Sequence, residues 1–108
     1  MKAELVNPKK WSDKKVLFDD GEFSVIYGKY ENGNPVLGVR WNGEDDEVGH
    51  PRQGKYPTWL VFPESFSLSL VRDIIEKLGI LPDSDADKAV YLKNSIEAEK
   101  YFKELATR

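Results

Sequence analysis

Two turn signals, Asp20-Gly21 and Asn32-Gly33-Asn34-Pro35, cut the first part of this chain into short runs. Both are rich in residues that tolerate positive φ, the chemistry that closes hairpins. The runs between them suit a half-buried sheet. Residues 14–19 (KKVLFD) predict a strand, and residues 22–31 (EFSVIYGKYE) a second. In that second run Phe23, Val25 and Tyr27 alternate against Ser24, Ile26, Gly28 and Tyr30. Residues 36–41 (VLGVRW) predict a third, with Leu37, Val39 and Trp41 on one face and Val36, Gly38 and Arg40 on the other. Gly28 and Gly38 inside strands are read as close packing or a bulge rather than as approach to a ligand.

Residues 42–57 (NGEDDEVGHPRQGKYP) break the pattern. They carry three Gly, two Pro and four acids, and predict a long polar loop. Residues 58–62 (TWLVF) then predict a fourth strand, apolar enough to be central and covered on both faces. A helix follows from Ser65 as N-cap to Gly79 as stop, with an apolar stripe of Phe66, Leu70, Ile74 and Leu78 widened by Leu68, Val71 and Ile75. Ser84 or Asp85 caps a helix over 86–92, and Asn94 or Ser95 a third over 96–106, unless the two are one kinked helix. Ala89, Leu92, Ile96, Tyr101, Phe102 and Leu105 would supply its buried side. Residues 1–12 are polar and predict a loose lead-in, anchored by Leu5 and Trp11.

Strands first and helices after, with tight turns between the strands, indicate an α+β fold. It is a four-stranded antiparallel meander in the order β-β-β-β-α-α, with the helices packed on one face. At 108 residues the chain is expected to be a single domain over 1–108. No run of residues is apolar enough to span a bilayer, and MKAELVNPKKW lacks the apolar core of a signal peptide. A soluble, cytoplasmic protein without membrane association is expected.

Composition excludes much chemistry. With no Cys there is no disulfide, zinc–thiolate site or thiol nucleophile, and with one His no His pair on a metal. Neither Glu44-Asp45-Asp46-Glu47 nor Asp83-Ser84-Asp85-Ala86-Asp87 has the ligand spacing of a calcium loop. No phosphate-cradling glycine motif and no GxSxG nucleophile is present. No catalytic residue, metal or cofactor is therefore expected.

The densest cluster of recognition chemistry is VGHPRQGKYPTW, at 48–59. It brings His50, Arg52, Gln53, Lys55, Tyr56 and Trp59 together, with Trp41 just before it. Arg, Tyr and Trp are the types enriched where binding energy concentrates. The plainer alternative makes Tyr56 and Trp59 core and the polar residues ordinary surface. The favoured function is a small non-enzymatic binding or regulatory domain that recognises a protein partner through the 43–57 loop. Other readings use other surfaces. Tyr27 or Tyr30, Arg40 and Trp41 on an open sheet face could stack single-stranded nucleic acid, although a net charge of −3 argues against it. His50, Arg52 and an acid from 44–47 could form a small-molecule site or minor enzyme. Lys9, Lys10, Lys14 and Lys15 form a basic cluster that could touch phosphates or an acidic partner. A homodimer through the open face would bury surplus aromatic surface.

Overall fold

The first hairpin closes through the chemistry its turn residues carry. In the computed structural model, which describes residues 1–44 and 47–107, the Asp20 carboxylate accepts from the backbone N–H of Glu22 at 2.9 Å and of Phe23 at 2.8 Å. On either side, β1 (Trp11–Asp19) and β2 (Phe23–Tyr30) run antiparallel. Glu31 and Asn32 take positive φ in the second turn and return the chain as β3 (Pro35–Trp41). A separate two-stranded hairpin, β4 (Arg52–Gln53) and β5 (Tyr56–Pro57), precedes β6 (Leu60–Val61). The main sheet has four antiparallel strands in the order β1-β2-β3-β6. Two helices follow, α1 (Glu64–Ile80) and α2 (Lys88–Ala106). The expected α+β meander with two helices is what forms.

The alternation read in the strands sorts the sheet into two faces. Val25 and Val39 face each other across β2 and β3, as do Tyr27 and Leu37. With Leu17 they pack against Val71, Ile74 and Leu78 of α1 and Ala98 and Phe102 of α2. Fully burying each large aliphatic or aromatic side chain contributes about 1.5–3 kcal/mol relative to exposure. Tyr27 lies against Tyr101 and Phe102, with ring centroids 6.0 and 5.9 Å away. Burial, with the charge of Glu97 adding to it, pushes the Tyr27 hydroxyl up to about 12. Burial first and Asp87 second do the same for Tyr91.

The second face is covered too, and here the structure departs from the expectation of an open surface. Residues 1–12 are not a loose lead-in. Ala3–Leu5 forms a 3-10 turn, the Ala3 N–H donates to Asp19 Oδ2 at 2.9 Å, and β1 already begins at Trp11. Ala3, Val6, Trp11, Ile26 and Trp59 form a second buried cluster. Trp11 anchors the segment as expected, whereas Leu5 is exposed. Gly38 makes room for the two indoles. A Cβ there would lie 2.9 Å from Trp11 Cη2 and 3.1 Å from Trp59 Cβ.

Local expectations fail where tertiary contacts outweigh them. The run 58–62 is not a central strand. Trp59 turns into the second-face cluster, Phe62 packs on the first, and Leu60 and Val61 form the exposed end of the sheet. In α1 the Ser65 cap and the Gly79 stop give way to Pro63 and Leu81. Phe66 is exposed while Ser67 is buried and donates to Pro63 O at 3.0 Å. α2 is one helix, because Asn94 and Ser95 do not cap. The Asn94 amide donates to Val16 O at 2.8 Å and the Ser95 hydroxyl to Leu17 O at 3.4 Å. Those carbonyls belong to a register shift in β1, between Val16 and Phe18, where bulged backbone needs outside partners. Asp85 does serve the helix start, accepting from the N–H of Asp87 and Lys88. Ala89 and Ile96, expected inside, are exposed.

Candidate functional site

The segment 42–57 is tied down at its base rather than trailing as one long loop. Trp41 and His50 exchange backbone hydrogen bonds, at 2.6 Å (Trp41 N to His50 O) and 2.9 Å (His50 N to Trp41 O). Gly43 and Gly49, both at positive φ, let the two limbs touch backbone to backbone. Arg40 reaches up from β3, and its Nη2 donates to Trp41 O at 3.2 Å and to Val48 O. The second limb folds into the β4–β5 hairpin, whose turn places Gly54 at φ +61°. The Thr58 N–H closes it on Pro51 O at 3.1 Å.

Arg40 is the unusual member. It is 1% exposed, and among the described residues its Nε and Nη1 have no hydrogen-bond partner and no carboxylate pairs with it. Its guanidinium carbon lies 5.9 Å from the centre of the Trp59 ring. Burial lowers its pKa from the ordinary value, yet an arginine stays protonated in a protein. A buried cation held by carbonyls and an indole face fixes the loop base.

Beside Arg40, Asn42 joins a further polar chain. It donates from Nδ2 to Asp19 Oδ1 at 2.9 Å and accepts the Ser24 hydroxyl proton at 2.6 Å. The loop base is thereby fastened to β1 and β2 as well as to β3.

The seven residues singled out in the sequence are not brought to one place. His50, Arg52 and Lys55 share a shallow cleft with Glu47, of about 390 Å³. Tyr56 is 67% exposed beside it, with Lys55 Nζ 5.9 Å from the centre of its ring. Trp41, also exposed, packs on Phe23 at 5.0 Å between ring centres. Gln53 points to a different cleft, shared with Lys9 and Lys10. Trp59 is core, 4% exposed, its indole N–H donating to Val6 O at 3.1 Å.

The stacking platform considered on the sheet does not assemble. Tyr27 is under the helices, Tyr30 lies on Trp11 on the other face, and Arg40 is buried. The basic cluster also divides. Lys9 and Lys10 line one cleft, and Lys14 and Lys15 another beside Tyr27 and Glu97.

The acidic run 44–47 includes Asp45 and Asp46, which lie outside the described residues. Among the described residues no three His, Asp or Glu side chains gather as a metal site, and no helix is long and apolar enough to cross a membrane. No known protein family, curated protein or solved structure matches this chain.

Two features escaped sequence reading, the burial of Arg40 and the exposed end of the sheet at Leu60 and Val61. Arg40 did carry a signal. It occupies an inward position of a strand whose alternate residues are apolar or glycine.

Proposed function

We propose that this is a non-enzymatic recognition domain whose contact surface is the 43–57 segment, and that its partner is a protein. The observation that carries the proposal is the exposure of Trp41 and Tyr56 in the same segment as the cleft lined by Arg52, Lys55, His50 and Glu47, on a loop whose base is closed by two backbone hydrogen bonds. Exposed aromatics and an arginine on a preorganised frame lose little entropy on binding. The partner surface they suit is apolar with acidic groups at its margin.

The test is a photo-crosslinking amino acid at position 56, compared with one at position 103 on the far helix, in a lysate of the host. A discrete protein adduct from position 56 only, lost when Arg52→Ala is added, is the expected outcome. Identical adducts from both positions, or indifference to Arg52→Ala, would reject the proposal. The proposed setting is the cytoplasm, which fluorescent tagging of the chain checks.

A second reading is favoured by the cleft itself. Its volume is at the lower end of the roughly 300–1,000 Å³ typical of ligand sites, and three of its side chains are donors to a small anion. Titration with inorganic phosphate, followed by the His50 ring signals, decides between the two.

A further inference from the structure

The exposed end of the main sheet offers a chemistry the 43–57 segment does not use. β6 is an edge strand with no charged residue; Leu60 is 59% exposed and Val61 39%. The unpaired N–H and C=O groups of such an edge accept another strand. Here the direction of those groups follows from the ladder. The Phe62 N–H donates to Leu37 O at 2.8 Å, and Leu60 is paired with Val39. In an antiparallel ladder bonded and non-bonded pairs alternate. The Gly38–Val61 pair is therefore the non-bonded kind, and Val61 turns its N–H and C=O outward.

That edge borders a cleft of about 530 Å³. Its lining includes Lys9 and Lys10, the Tyr30 ring and the stretch Trp59–Val61, and among the described residues no carboxylate lines it. Apolar side chains, outward backbone and two ammonium groups, with no carboxylate among the described lining residues, specify one kind of occupant. We infer that the β6 edge binds an extended acidic peptide, which adds to the sheet as a strand, sets apolar side chains against Tyr30 and Val61, and places its carboxylates by Lys9 and Lys10. Backbone bonds supply affinity in such a mode, and the side-chain environment supplies selectivity. Of the 43–57 segment this cleft takes only Gln53, and none of His50, Arg52, Lys55 and Tyr56, so the two readings are tested separately.

The experiment is selection of short random peptides on the full chain and on Lys9→Glu/Lys10→Glu, followed by amide hydrogen exchange on the protein with the best peptide bound. The expected consensus is rich in acidic and apolar residues and lacks proline. Its affinity falls at least about tenfold on the charge-reversed variant and weakens with salt. The Val61 amide exchanges more slowly when the peptide is bound. Arg52→Ala/Tyr56→Ala binds the peptide as the unmodified chain does. No enrichment, a basic or neutral consensus, binding without protection of Val61, or loss of binding in Arg52→Ala/Tyr56→Ala would each overturn the inference.

Discussion

Gly49→Ala isolates what holds the 43–57 segment in place. Gly49 has φ +70°, and a Cβ added there would collide with Trp41 O while lying 2.5 Å from the carbonyl carbon of Asn42 and 2.7 Å from its oxygen. All three atoms are backbone, so no side chain can swing aside. The left-handed conformation alone costs about 1–2 kcal/mol for a residue with a Cβ. Relieving the collision requires parting Trp41 from His50. That removes two backbone hydrogen bonds, each contributing about 1 kcal/mol net. The sum is about 3–4 kcal/mol, a large share of the roughly 5–15 kcal/mol that stabilises a typical domain.

Gly54→Ala is the matched control. Gly54 has φ +61° but no heavy atom within 4 Å of its added Cβ, so only the conformational cost of about 1–2 kcal/mol applies. Urea unfolding of both variants gives the comparison, and amide exchange at Trp41 and His50 shows whether the loop base has opened. Gly49→Ala should cost about 2 kcal/mol more than Gly54→Ala, the two lost backbone bonds, and should speed exchange at both amides. Equal costs, or unchanged exchange in Gly49→Ala, would refute the idea that close backbone contact closes this loop.

Gly38→Ala should lower stability by about 1–3 kcal/mol through overpacking between Trp11, Ile26 and Trp59, seen as a lower midpoint in thermal unfolding. A loss below about 0.5 kcal/mol would mean that the second-face cluster is loosely packed. Arg40→Met should leave global stability within about 1 kcal/mol, because removing a buried cation that pairs with no carboxylate among the described residues offsets the lost hydrogen bonds. It should nonetheless speed amide exchange around the loop base, and a collapse of the melting temperature would contradict this. At alkaline pH, Tyr27 and Tyr91 hold their protons up to about 12 in the folded state but release them near the ordinary value of 10.0 when unfolded. The unfolded chain then binds fewer protons, so stability is fully present below pH 10 and falls as pH rises from 10 toward about 12. Unfolding measured across that range, alongside tyrosinate absorbance, checks it; flat stability would refute it.

Local chemistry was enough to locate the first two hairpins, though not the β4–β5 hairpin inside the run read as a loop. Asp20 fastens its turn with its own carboxylate, and the alternation Phe23, Val25, Tyr27 against Ser24, Ile26, Gly28 assigns each strand residue to a face. Of the candidate site, His50, Arg52, Lys55 and Tyr56 were legible because they are close in sequence and a tight hairpin keeps them close in space. Such features depend on φ, ψ and period within a few residues of one another. Long-range burial decided the rest. Nothing local marks Ala3 and Val6 as the cover of a sheet face, since their partners Ile26 and Trp59 lie far along the chain. Asn94 and Ser95 are good caps in isolation, yet the bulged carbonyls of Val16 and Leu17 claim them and the helix runs through. TWLVF reads as one apolar strand, but both cores are already lined by other residues, so Trp59 and Phe62 go inward on opposite sides and Leu60 and Val61 remain at the edge. Backbone preference and periodicity are local properties of a sequence. Which apolar surfaces find one another depends on the total area removed from water, and that sum is taken over the whole chain.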